Sequence, residues 1–217
     1  MTDPIPPVAS GSSSTRDRLL DTAAQLFYEQ GVHVGVDALC KAAGVSKRSM
    51  YKLFNSKDEL VAASLERIAP DYQAALLPAD DDRSPRERIL YVFQRLEYLE
   101  PVQDFRGCPY VAAAVQLKSP EHPGSLVARR HKDGLTSFFQ HEAERGGARD
   151  PAQLARQLTL VFDGASARSV VQAQHLDGLA VATATTLLDG AGVGDSLPPD
   201  GFAQNATASD AGAGARD

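Results

Sequence analysis

Residues 36–60 read VDALCKAAGVSKRSMYKLFNSKDEL. A helical apolar pattern runs over 36–43, stops at Gly44 and resumes over 46–54, so two short helices meet at Gly44-Val45. Ser46 stands where its hydroxyl can accept a backbone N–H and open the second helix. Met50 and Phe54, four apart, share the face that must go inward, which leaves Lys47, Arg48, Ser49, Tyr51 and Lys52 facing out. A third helix starts at once, because Ser56-Lys57-Asp58-Glu59 fits the S-x-x-E capping box. Two short helices with another packed behind them form a helix-turn-helix, whose second helix enters the major groove of DNA.

The charge distribution agrees. Between residues 40 and 57 lie Lys41, Lys47, Arg48, Lys52 and Lys57 and no acid, in a chain whose net charge is −6. The positive charge is therefore focused at one place on an acidic body. Lys47 and Arg48 open one helix and Lys57 the next, where the helix dipole favours anions. A bound phosphate would turn that unfavourable placement into an attractive one.

Outward from this stretch the pattern stays helical. Over 15–30, Leu19, Ala23, Leu26 and Phe27 share a face, and Gly31 is a natural stop. The helix opened at Ser56 is expected to end at Ala69, since Pro70 follows. Residues 85–100 put Ile89, Val92, Phe93, Leu96 and Leu99 on one stripe, after a solvated acidic run at 80–82. Further helices are expected over 109–118, 124–145, 151–173 and 177–189, the third of them opened by Asp150-Pro151. Strand-like alternation is absent, so the fold class is all-α. Residues 1–14 and 191–217 are rich in small and polar residues and are expected to be a disordered arm and tail. Between them the chain divides into a DNA-binding domain, 15–60, and a larger helical domain, 61–190.

Composition sets further bounds. With 217 residues, 43% of them apolar, the chain needs neither disulfide nor metal to hold a core. Two cysteines, Cys40 and Cys108, form no redox or zinc motif, and a reducing, cytoplasmic location is expected. No apolar run reaches transmembrane length. The five histidines form no i, i+4 pair, and neither metal nor cofactor is expected. Gly164-Ala165-Ser166-Ala167 lacks the last glycine of a nucleophile elbow, and no phosphate-binding glycine loop occurs, so an enzyme is not expected. A helical interaction protein without DNA binding would leave the basic cluster unexplained.

Residues 15–65 resemble the tetracycline-repressor (TetR) family of transcriptional regulators. The resemblance is carried by Leu20, Ala24, Leu26 and Phe27, by Gly31, by Ala43-Gly44-Val45-Ser46, and by Tyr51, Phe54 and Lys57-Asp58-Glu59-Leu60. It departs at Val34 and Gly35, where the family often has hydroxyl residues, and Gly35 is a weaker cap than serine. The resemblance implies a homodimeric regulator, most simply a repressor, that binds a palindromic operator in double-stranded DNA and is released by a small molecule. Lys47, Ser49, Tyr51 and Lys52 are then DNA contacts and Lys57 meets a phosphate; Ser46 and Arg48 complete the candidate surface.

Within the larger domain, Phe93, Tyr98, Cys108, Tyr110, Gln116, His131 and Phe138 are candidates to line the effector pocket. Cys108 reads either as a thiol activated by the nearby Arg106 or as a small core residue. Leu154, Leu158, Phe162 and Ala165, at heptad-like spacing, are candidates for a dimer interface, with intramolecular core as the competing reading.

Overall fold

The computed structural model describes residues 14–99 and 105–194. The expected arm at 1–14, apart from Ser14, and the expected tail at 191–217, apart from 191–194, lie outside them. Against the expectation of disorder, Ala191 belongs to the last helix and Val193 is buried, its carbonyl accepting from Arg86. Nine helices follow in order among the described residues: α1 (Thr15–Gln30), α2 (Val36–Ala43), α3 (Lys47–Leu53), α4 (Lys57–Leu76), α5 (Pro85–Leu99), α6 (Pro109–Leu117), α7 (Pro123–Arg145), α8 (Pro151–Gln172) and α9 (Leu179–Ala191). The all-α class read from the sequence is what is observed.

Local chemistry sets the boundaries. The Ser14, Ser46, Ser56 and Asp150 side chains each accept the backbone N–H three residues on, which caps α1, α3, α4 and α8. Gly44 takes the left-handed conformation (φ 64°, ψ 35°) that closes α2. Gly35 caps α2 without a side-chain bond, as its chemistry requires.

One boundary differs from expectation. The helix opened at Ser56 does not end before Pro70 but continues to Leu76. Proline removes one backbone donor, but burial of Ala69 and Leu76 and an edge-on contact of the Tyr72 and Tyr110 rings hold the turns on either side. Tertiary packing outweighs the local penalty. As a result α4 is one rod that packs against α1 near its start and against α7.

The core of the larger part lies between α5, α7, α8 and α9. Ile89, Val92, Phe93 and Leu96 are buried along the predicted stripe of α5. The Phe93 ring stacks on Phe139 with centroids 5.7 Å apart and meets Phe162 edge-on at 6.5 Å. Glu97 ties α5 to α9, its carboxylate accepting the N–H groups of Gly178, Ala180 and Val181. Arg67 joins α4 to α1 through Asp21 at 2.8 Å.

Candidate nucleic-acid interface and effector cavity

In the 36–60 stretch, Leu39, Cys40, Met50, Phe54 and Leu60 are buried and give α2, α3 and α4 a common core. Because Met50 and Phe54 point inward, Lys47, Arg48, Tyr51 and Lys52 are left on the open side of α3. Tyr51 is 52% exposed, a large ring left half open to solvent. Ser49 is half-buried, its backbone N–H bonded to the Ser46 hydroxyl. Lys57 is half-buried in the first turn of α4.

Three contacts here were not visible in the sequence. Lys47 Nζ lies 2.7 Å from Asp37 on α2, an exposed ion pair. This pair supplies the counter-charge that the opening of α3 lacks, and its Asp37 raises the Lys47 pKa. Exposed pairs of this kind contribute little to stability in water. The Arg16 guanidinium lies over the Phe54 ring at 5.2 Å. Glu59 sends its carboxylate back to the backbone and side-chain N–H of Asn55, one residue before the position a capping box uses.

The seven effector candidates fall in different places. Phe93 is fully buried in the core. Phe138 is half-buried against Phe139. Tyr98 is 59% exposed beneath the Arg95 guanidinium. Tyr110 and His131 do come together, stacked with centroids 4.6 Å apart, with Tyr72 edge-on to Tyr110 and Cys108 two residues before it at the start of α6. Burial raises the Tyr72 and Tyr110 pKa values and lowers that of His131, so all three rings are neutral at pH 7. Cys108 is buried, the environment of a packed thiol.

Gln116 has a different position altogether. Its Oε1 accepts the N–H of Val32, in the turn between α1 and α2, at 2.9 Å. Beside it, the Tyr28 hydroxyl of α1 accepts the Arg106 N–H at 2.8 Å and donates to the Gly107 carbonyl at 3.2 Å, just before α6. α6 is thus bonded to the DNA-binding helices. Gly31 closes this joint in a conformation (φ 90°, ψ 163°) that only glycine adopts readily, and a Cβ there would stand 2.4 Å from Gln116 Oε1. Gly31→Ala is expected to cost about 1–3 kcal/mol, seen as a lower urea midpoint at unchanged m-value.

The opposite side of α6 borders a cavity of about 390 Å³ between α6, the following turn and α7. Of the sequence-selected residues Tyr110 lines it, together with Ala114, Lys118, Ser125 and Arg129, which the sequence did not single out. The signal that could have found them is weak: positions four apart, 114 and 118 at the end of α6 and 125 and 129 on α7, with no charge cluster to mark them.

The four dimer candidates are corrected. Leu154, Leu158, Phe162 and Ala165 are at most 8% exposed within one protomer, so they form its own core. Heptad spacing alone cannot tell an internal seam from an external one. The exposed face of α8 instead carries Leu160, Gly164, Ala167 and Val171, with Leu160 73% and Val171 78% exposed.

Comparison with known proteins places this geometry. Residues 19–64 match the family described as bacterial regulatory proteins, tetR family. The crystal structure of a tetR-type transcriptional regulator from Streptomyces avermitilis MA-4680 is 60% identical, with a TM-score of 0.82, over 84% of this chain and all of that one. The HTH-type transcriptional repressor NemR of Escherichia coli is 27% identical over 168 residues, 72% of this chain and 84% of its own. The HTH-type transcriptional activator FasR of Mycolicibacterium smegmatis is 32% identical over 114 residues, 47% of this chain and 52% of its own. The helix-turn-helix, the helical second part and the relatives agree, and the chain belongs to the TetR family of transcriptional regulators, a DNA-binding family and not one of enzymes.

Proposed function

We propose that the protein is a homodimeric repressor that binds a palindromic operator and leaves it when a small molecule binds between α6 and α7. The observation that carries this reading is α6 itself. One side borders the 390 Å³ cavity, the other holds the α1–α2 turn through Gln116, and the segment just before α6 is bonded to Tyr28 of α1. An effector that favours one placement of α6 therefore favours one placement of the helix-turn-helix, by its difference in affinity for the two states.

On the DNA side, Lys47, Arg48, Ser49, Tyr51 and Lys52 are the groove-facing set, Lys57 meets a phosphate, and Ser46 fixes the start of α3. Residues 15–60 are taken as the DNA-binding domain and 61–190 as the effector and dimerisation domain, with α4 as a continuous rod between them. Two recognition helices reading one site must lie about 34–36 Å apart if the half-sites are one helical turn apart. Selection from a random DNA pool at two salt concentrations tests the reading. A two-fold-symmetric site is the expected result, and recovery of only salt-sensitive, sequence-independent binding overturns it. NemR, a repressor, and FasR, an activator, are both relatives; a reporter placed behind the selected site distinguishes the two outcomes.

The dimer is assigned to the exposed stripe of Leu160, Gly164, Ala167 and Val171 on α8, with the exposed Leu179, Thr183 and Thr186 on α9 beside it. The small residues allow close helix approach, and the stripe spans three turns on one face. Replacing Leu160 and Val171 by glutamate is expected to weaken dimerisation by about 2 kcal/mol or more per site, roughly 30-fold each. Sedimentation at micromolar concentration then shows a folded monomer; an unchanged dimer places the interface elsewhere.

A further inference from the structure

We propose that the cleft between α6 and α7 is closed by the second copy of this chain, so that two protomers complete one effector site. This rests on the dimer reading above and extends the dimer face from α8 across to α6.

Among the described residues of one protomer, the cleft has a floor and no lid. Its volume is about 390 Å³. Tyr110, Ser125 and Ala128 are buried beneath it, whereas Val115, Lys118 and Arg129 on its walls are exposed. Small-molecule sites bury roughly 70–90% of their ligand's surface. A molecule held here by one protomer alone keeps its outer side in water, so a site of that kind needs a cover.

The cleft opens beside the free stripe of α8. The chain enters α6 against that helix: a Cβ at Gly107 would stand 3.2 Å from the Ser166 carbonyl oxygen and 3.5 Å from the Val170 side chain. At the α7 wall, Lys132 Nζ lies 2.5 Å from Asp163. Asp163, Ser166 and Val170 are each followed by a residue of the stripe, Gly164, Ala167 and Val171. One helical step, about 100°, therefore separates the edge that borders the cleft from the face assigned to the partner.

Area requires the face to extend. A stable interface takes about 800 Å² and roughly 20–30 residues from each partner, several times what the stripe and its α9 neighbours supply. Exposed apolar side chains mark where the rest lies. Val170 is 43% exposed on that edge of α8, and Val115 is 68% exposed across the cleft on α6. A face that meets its own copy about a two-fold axis must be complementary to itself, and an apolar face is so without any pairing of charges. Lys118 ends α6, and Arg129 donates to the Pro120 carbonyl in the turn beyond it. Both cations thus stand at the end of the cleft away from α8, where an interface carries its polar rim.

Thiol labelling of the full-length chain tests this, since Cys40 and Cys108 are buried. Val115→Cys is expected to react with a maleimide about tenfold slower or more in the parent dimer than in the Leu160→Glu, Val171→Glu background. Glu29→Cys, exposed on α1, is expected to react equally in both. Val115→Glu is expected to weaken the dimer about tenfold in sedimentation at an unchanged melting temperature, because the side chain is mostly exposed within its own protomer. Three results overturn the proposal: equal labelling of Val115→Cys in dimer and monomer, protection in both (a segment of the same chain then covers the cleft), or an unchanged dimer for Val115→Glu. If the double glutamate variant stays dimeric, the α8 assignment falls and Val115→Glu alone decides this one. A parent that sediments as a monomer overturns both. A dimer in which Val115→Cys labels as fast as Glu29→Cys defeats only the closed cleft.

Discussion

Replacing Tyr51 and Lys52 together by alanine is expected to lower operator affinity by roughly 2–4 kcal/mol, about 30- to 1,000-fold, with the fold and the dimer intact. Both side chains stand on the open side of α3 and are exposed, so truncating them removes nothing from the core. The two substitutions differ in kind. A lysine at a phosphate contributes equally to every sequence, so Lys52→Ala alone should weaken specific and non-specific binding alike and reduce the salt slope by about 1. Tyr51 has one hydroxyl and a flat ring, which suit a base edge or a sugar-phosphate contact at fixed register. Tyr51→Ala is therefore expected to change the ratio of specific to non-specific binding. Fluorescence anisotropy on the selected site and on a scrambled one, at two salt concentrations, separates the two. Unchanged affinity in the double variant returns α3 to a merely structural role.

The second large effect lies far from DNA. Glu142 on α7 is 2% exposed, and its carboxylate bonds Arg88 Nε on α5 at 2.9 Å and the Arg145 guanidinium at 2.7 Å. Arg88 has a side chain only 11% exposed; it donates to the Ala79 carbonyl at 2.8 Å and lies 3.7 Å from Asp81 as a longer ion pair. Glu142→Ala leaves that guanidinium buried without its main acceptor. Removing one partner of a buried pair costs about 3–5 kcal/mol, which for a chain of this length lowers the melting temperature by roughly 10 °C. The exposed half of the arrangement, Arg145, adds little. Replacing Glu142 and Arg88 together by leucine is expected to recover much of the loss, because two apolar groups of similar size need no mutual charge. Calorimetry of the two variants checks this; a Glu142→Ala variant as stable as the parent shows that the buried pair contributes nothing to stability.

Glu142 also shows why polarity misleads where periodicity does not. Position 142 falls on the buried stripe of α7 with Leu135, Phe139 and Ala143. The stripe points it inward, and its charge argues for solvent. Only the position of Arg88, 54 residues away, resolves the conflict. Pro70 is the converse case. Its missing N–H is a local signal to stop, and contacts from α6 carry α4 past it. Gln116 looks like an ordinary pocket residue on a short helix until the α1–α2 turn is seen to arrive beside it.

Short-range physics was legible from the residues alone. The caps at Ser46, Ser56 and Asp150, the Gly44 stop, the inward pair Met50 and Phe54 and the basic open side of α3 all follow from neighbours within about one or two helical turns. Those relations made the helix-turn-helix, and with it the DNA-binding role, readable without coordinates. Which face of α8 is core and which is free, which residues border a cavity and which fill it, and where Glu142 finds its partner depend on helices far apart in the chain. A helix has one periodicity whatever packs against it, so these choices belong to the tertiary fold: Leu158 and Leu160 are two residues apart in sequence, yet one is fully buried and the other 73% exposed.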